Sequence, residues 1–298
     1  MSSQLVDRVL TKDIKMNAKR KLNGNEQFFL VFKYFSLVIL AIIAALPIYI
    51  MVINSVKGIT GVTQSAAFVP PTHLNFDAWG PVWEQMKVPM GRTAFFVIQS
   101  SIISAIIGSI NGYVFAKWKF KGSTFIFTTF LFGMFIPYQA IMIPLTQFNQ
   151  WAHLGGSIYV LVFAHVIYGI PICTLIFRNY YAGIPNELIE AARVDGAGMV
   201  RIFRTIILPL SIPGFVVVLI WQFTSAWNDF LFAIFLTGGS PNLAVATTAL
   251  NFITGSGNQV YYGNNMTASL IVSIPTLLVY MFLGRYFLRG LLSGSLKG

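Results

Sequence analysis

Along most of this chain the apolar residues do not alternate with polar ones at a strand or helix period; they run on continuously. Six stretches, 30–53, 93–116, 124–147, 157–177, 206–236 and 267–288, are apolar over about 20 residues or more, the length a helix needs to cross a hydrocarbon core of roughly 30 Å. Backbone polar groups in lipid must be satisfied inside the segment, so each such run predicts a helix. The expected fold class is an all-α integral membrane protein with six transmembrane helices. Its expected parts are an N-terminal extension over 1–29, a membrane domain over 30–290 and a tail over 291–298.

Charge placement orients the six spans. Of the 20 Lys and Arg residues, all but Lys57, Lys87 and Arg92 fall on one side. They precede the first span, fill the loop at Lys117, Lys119 and Lys121, cluster from Arg178 to Arg204, and close the chain at Arg285, Arg289 and Lys297. Basic loops face the cytoplasm, so both termini are expected there. The first span follows a basic, polar stretch without a small-residue cleavage site and reads as an uncleaved signal anchor.

Composition agrees and removes other classes. The 298 residues are 56% hydrophobic and 10% charged, against roughly 25% charged in soluble domains. The net charge of +11 sits in short clusters between apolar runs, not on a basic surface interleaved with stacking aromatics, so no nucleic-acid partner is expected. Cys173 is alone and reads as a small buried apolar residue. His73, His153 and His165 are far apart and lack zinc-type spacing. Trp79, Trp83, Trp118 and Trp151 suit the two membrane interfaces. Pro47, Pro137, Pro144, Pro171, Pro209, Pro213 and Pro275 predict kinks.

The loop from Arg178 to Thr205 carries a pattern of its own. Pro185, then Asn186 as an N-cap, then Glu187 and Glu190 in the first turn predict a short helix that Gly196 and Gly198 end near Val194. On it Leu188, Ala191, Ala192 and Asp195 recur at helical spacing and share a face. A second amphipathic stretch, Met199 to Ile206, follows. Physically, either the helix lies on lipid headgroups or its alanines admit another protein's surface.

Glu190-Ala191-Ala192, three residues, Gly196, nine residues, Ile206, one residue, Leu208-Pro209 resembles the Glu-Ala-Ala signature of ABC importer permeases at every fixed position. Asp195 before Gly196 and Ala197 after it resemble the carbohydrate branch of that family, which includes maltose, glycerol-phosphate and multiple-sugar permeases. The resemblance extends to Asn54-Ser55-Val56-Lys57, Pro70-Pro71, Ile136-Pro137, Ile143-Pro144-Leu145, Trp227-Asn228-Asp229 and the tail Gly290-Leu291 with Gly294, a pattern similar to the smaller of the two maltose permease chains. Arg92-Thr93-Ala94 and Leu154-Gly155-Gly156-Ser157 depart from it.

The resemblance implies a type I importer permease whose cytoplasmic coupling helix, with Glu190, Ala191, Ala192, Asp195, Gly196, Ile206, Leu208 and Pro209, docks on a dimer of ABC ATPase subunits. It also implies a second, different permease chain, an extracytoplasmic solute-binding protein, a sugar substrate and a bacterial or archaeal cytoplasmic membrane. This chain has no G-x-x-x-x-G-K-[ST] phosphate loop, so ATP and Mg are expected on the ATPase and no cofactor here. A secondary transporter or channel is the alternative; it calls for several ionisable residues within the spans, where Asp229 alone lies deep.

Two further features stay open on sequence. Gln222, Ser225 and Asp229 fall on one helical face beside Asn228, either lining a substrate pathway or fixing the bundle through hydrogen bonds. The outer loop 237–265 has no charged residue, and in the family its counterpart faces the binding protein. Thr254, Gly255, Ser256 and Gly257 are the expected contact, with an inert linker as the other reading.

Overall fold

The computed structural model describes residues 24–58, 66–253 and 262–295, with side chains as far as Tyr286. Among these residues it is helical with no strand; its one isolated bridge joins Lys57 to Asn75. The chain divides into two compact units between Met51 and Val52. The first unit is built on the greater part of helix α1 (Gly24–Ser55), whose 32 residues span about 48 Å at 1.5 Å each. The boundaries expected at 29 and 290 fall inside α1 and the last helix.

The second unit starts with the end of α1 and a folded outer turn. Trp79 Nε1 donates to the Ser55 carbonyl at 3.0 Å, and Lys57 Nζ donates to the Ala66 carbonyl at 2.9 Å. Burial pushes the Lys57 amine below the usual lysine range. Helix α2 (Trp79–Lys117) is much longer than the expected 93–116, at 39 residues. Residues 79–92 lie outside the apolar run that marked the span, yet Val82 and Met86 are fully buried, packed among Ala246, Ala249, Ala268 and Ile271. The helix therefore continues past the hydrocarbon and is covered by protein there.

The expected third span is broken. Helix α3 (Ser123–Phe132) ends in a 3-10 turn, Gly133–Phe135, and α4 (Tyr138–Trp151) leaves at 94° to it. The cause is Pro137, which drives Ile136 to extended backbone, φ −68° and ψ 117°. Helix α5 (Tyr159–Ala182) runs unbroken through Pro171 and packs against α2 and α8. It lies against α2 where the glycines are: a Cβ on Gly108 would come within 2.5 Å of Cys173 Cβ, and one on Gly112 within 2.6 Å of Phe177 Cβ. Lipid tails are as apolar as Leu, so close backbone approach at small residues and the dispersion contacts it allows hold such helices together. Cys173 is buried in that seam, as its composition suggested.

After α5 come α6 (Asn186–Val194) and α7 (Met199–Leu210), the latter with a π-turn at Phe203–Ile207. The expected fifth span is likewise broken, by 76° between α7 and α8 (Ile212–Trp227). Pro209 and Pro213 remove donors on either side of the bend, and Ser211 Oγ bonds back to the Ile207 carbonyl. The span stops again at Asn228 and resumes as α9 (Leu231–Leu236). A 3-10 turn leads to α10 (Ala246–Ile253), and α11 (Tyr262–Ser295) ends the described chain. Large apolar side chains such as Phe125, Phe135, Ile143 and Phe282 are exposed, which suits a lipid-facing surface and no aqueous one.

Candidate functional site

The loop between α5 and α8 is a folded module. Helix α6 begins at Asn186 itself, with Pro185 in the cap position. Asn186 was expected as the N-cap; its side chain instead accepts from Lys117 Nζ at 2.8 Å. At the other end, Gly196 has φ +77°, and Ala197 N bonds the Ala192 carbonyl at 2.9 Å. This is a left-handed C-terminal closure that favours glycine. A Cβ on Gly196 would meet nothing within 4 Å, so conformation and not crowding selects glycine here.

The module is fastened to the helix ends by side chains from α2 and α5. Ile189, Ile202 and Ile207 are buried among Tyr113, Phe177 and Tyr181. Tyr113 OH donates to the Met199 carbonyl at 3.1 Å, and Lys117 Nζ to the Ile184 carbonyl at 2.6 Å. Tyr180 OH donates to the Leu210 carbonyl at 2.8 Å. The Tyr181 hydroxyl joins Ser109 Oγ at 2.7 Å and Ser211 Oγ at 3.0 Å, tying α2, α5 and the start of α8. The Arg193 guanidinium lies 4.3 Å over the Trp118 ring. Sequence did not single out Tyr113, Tyr180 and Lys117 as holding the loop, because they bond backbone carbonyls that carry no residue signature, nor Tyr181, whose serine partners lie far off in the chain.

What the module leaves uncovered is specific. Leu188, Val194 and Val200 are 45%, 88% and 62% exposed, and Ala191 is exposed with them. Ala192 is half-buried against the bundle, so the shared face expected from spacing is split. The same module also exposes Glu187, Glu190 and Asp195 together with Arg193, Arg201 and Arg204. Of the other signature residues, Ile206 is half-buried against the bundle and Leu208 is exposed; Pro209 stands next to the π-turn. An exposed apolar patch with the small Ala191 within it and charges of both signs on the same module can admit another protein's surface.

The expected polar stripe on α8 is divided. Gln222 is buried, not turned to a pathway: its Nε2 donates to the His165 carbonyl at 2.9 Å, over Gly169, where a Cβ would come within 2.3 Å of that nitrogen. Ser225 and Asn228 are exposed. Asp229 lies beyond the end of α8, where its carboxylate oxygens accept from Phe232 N at 3.3 Å and Ala233 N at 3.1 Å. Its Oδ2 is 3.5 Å from His165 Nε2. Of the two readings left by sequence, this geometry favours a positional role for Gln222 and Asp229. Asp229 is far from His165 along the chain, in the break between α8 and α9, so no local pattern marks the pair.

A groove of about 620 Å³ at the α3–α4 elbow, lined by Phe125, Phe130, Met134, Ile141, Tyr168 and Pro171, is almost wholly apolar. Thr254, Gly255, Ser256 and Gly257 lie outside the described residues, as do Lys297 and most of the N-terminal extension. Lys57, Lys87 and Arg92 are each engaged, the last two with Glu84 and with the Ala244 carbonyl. Among the described residues no cluster of His, Cys, Asp and Glu has the makings of a metal site.

Residues 104–293 match the family described as binding-protein-dependent transport system inner membrane component. The glucose import system permease protein of Saccharolobus solfataricus is 34% identical over 274 residues, which is 89% of this chain and 95% of that protein. The xylose/arabinose import permease protein of Haloferax volcanii is 32% identical over 268 residues, 82% of this chain and 86% of that protein. In structure, a chain from the crystal structure of a bacterial ABC transporter involved in the import of the acidic polysaccharide alginate superposes with a TM-score of 0.77. It covers 89% of this chain and 99% of that one at 22% identity, which speaks for the fold.

Proposed function

This chain belongs to the family of binding-protein-dependent transport system inner membrane components, and on that premise we propose that it is the permease subunit through which an ATP-driven importer moves a carbohydrate across a cytoplasmic membrane. It is a multi-pass transport subunit, not an enzyme. The sugar assignment is supported by relatives named for glucose and for xylose/arabinose import. A secondary transporter or channel is disfavoured by family membership.

The observation that carries the mechanism is the exposed apolar patch of Leu188, Ala191, Val194 and Val200 on a module bolted to α2 and α5. An ATPase subunit docked there holds a handle that moves with the helices. Closure of an ATPase dimer around ATP and Mg would then swing the helices as rigid bodies between two states. Glu190, Ala191, Asp195 and Gly196 form or shape the docked surface; Ala192 and Ile206 join it to the bundle, and Leu208 and Pro209 lead from it to the bend before α8.

A second permease chain completes the pathway. The groove at the α3–α4 elbow is too apolar to hydrogen-bond a sugar, while Ser225 on α8 and Asn228 at its end offer exposed polar groups. The clustering of Lys and Arg beside the coupling loop supports cytoplasmic termini. The outer loop that contains Thr254, Gly255, Ser256 and Gly257 would face the binding protein. Uptake of labelled glucose, xylose, arabinose and melibiose, with the cognate binding protein, ATPase and partner permease present, tests the reading. ATP-dependent accumulation of at least one sugar is expected; accumulation of none, or uptake indifferent to ATP, would contradict it.

A further inference from the structure

Histidine and aspartate meet in the second unit at a point where three structural elements join. Asp229 is a short residue at the break between α8 and α9, with its side chain 11% exposed; His165, on α5, is 6% exposed. A buried carboxylate keeps its charge only if hydrogen bonds and an opposite charge replace water. Here the two amides at the start of α9 supply hydrogen bonds, and the imidazole Nε2 lies 3.5 Å from Oδ2. The imidazole is held in place, stacked on Phe96 at 5.4 Å and edge-on to Phe232 at 5.5 Å.

The main chain of Asp229 makes the third connection. Its carbonyl accepts from Thr247 Oγ1 at 2.6 Å, at the start of α10. Ala246 N, beside it, donates to Thr93 Oγ1 of α2 at 2.7 Å. Helix α10 leads directly into the 254–261 segment of the outer loop. Helix α5 runs from His165 to Ala182 and then straight into the coupling module. One residue thus touches the element next to the outer loop, the broken span, and the helix that carries the ATPase handle.

We propose that the His165–Asp229 pair is the junction through which engagement of the outer loop by a binding protein is passed to α5 and so to the coupling module, with His165, Asp229 and Thr247 acting as positioning residues. This rests on the function proposed above and deepens it. A contiguous chain of contacts is not by itself evidence of coupling; the energetic dependence of one contact on another is. His165 lies against the Asp229 carboxylate and Thr247 bonds its carbonyl, so their interdependence is the direct sign of a shared junction.

The test uses the complete transporter in proteoliposomes, the chain with its partner permease and ATPase subunits. ATP hydrolysis is measured without binding protein and with binding protein loaded with the panel sugar that supports uptake. Variants His165→Gln, Thr247→Val and their combination should assemble and hydrolyse ATP without binding protein as the parent does. Each single variant should lose binding-protein stimulation, His165→Gln by about fivefold or more. The double variant should lose no more than His165→Gln alone, because both changes disable one junction. Stimulation retained within about twofold in both single variants, or losses that multiply in the double variant, would overturn the proposal. If His165→Gln does not assemble, Thr247→Val decides: full stimulation overturns the junction and reduced stimulation with normal basal hydrolysis supports it. A parent transporter that binding protein does not stimulate is a failure of the functional reading, not of the junction.

Discussion

The Lys117 amine, at the last residue of α2, lies 2.6 Å from the Ile184 carbonyl. Through this contact and its bond to the Asn186 side chain, one helix grips the coupling module on the strand of chain that leads into α6. The grip is polar at a site where apolar packing by Ile189 and Ile202 supplies the rest. Hydrogen bonds from a charged donor contribute about 1.5–3 kcal/mol each, enough to decide whether the module moves with α2 or lags behind it.

Lys117→Met keeps the length and the apolar stem and removes both bonds. The expected outcome is a chain that inserts and assembles normally but moves less sugar per ATP hydrolysed, by about tenfold or more, since each 1.4 kcal/mol represents a factor of ten. Parallel measurement of uptake and hydrolysis in proteoliposomes checks it. An unchanged ratio would show that packing alone carries the motion.

Gly112→Leu addresses the α2–α5 seam. A Cβ at this position already comes within 2.6 Å of Phe177 Cβ and 2.8 Å of the Arg178 amide, and backbone cannot retreat as a side-chain tip can. Overpacking of this kind costs about 1–3 kcal/mol or more. The variant should be made at normal rate yet recovered at low level in the membrane, with a lower melting temperature after detergent extraction. Gly24→Ala, where a Cβ meets nothing within 4 Å, is the control and should behave as the parent.

Particular residues show what sequence could and could not reveal. The spans were legible because lipid demands long apolar runs, and α6 was legible because its first-turn acids and Gly196 encode both ends. The extension of α2 back to Trp79 was hidden, since Val82 and Met86 sit among polar neighbours and are buried only by α10 and α11. The break at Ile136 was marked by Pro137, yet a proline that kinks a span and one that turns it by 94° look alike in sequence. Gln222 and Asp229 shared a helical face only on the assumption that the helix runs on past Asn228, and it does not. The pairing of His165 with Asp229 depends on how α5 meets the break after α8, a tertiary fact without a local pattern.

The central claim, that this chain works by holding an ATPase on its coupling module, is tested most directly by Gly196→Asp. At φ +77° a residue with a Cβ is strained by about 1–2 kcal/mol, and the change adds a fourth acidic group beside Glu187, Glu190 and Asp195. The measurement is the amount of ATPase subunit that copurifies with the chain in mild detergent, taken with sugar uptake in the same preparation. The account predicts normal insertion of the variant, loss of most of the copurifying ATPase and loss of uptake, while the parent retains both. A Gly196→Asp chain that keeps its ATPase and transports sugar as the parent does would contradict it.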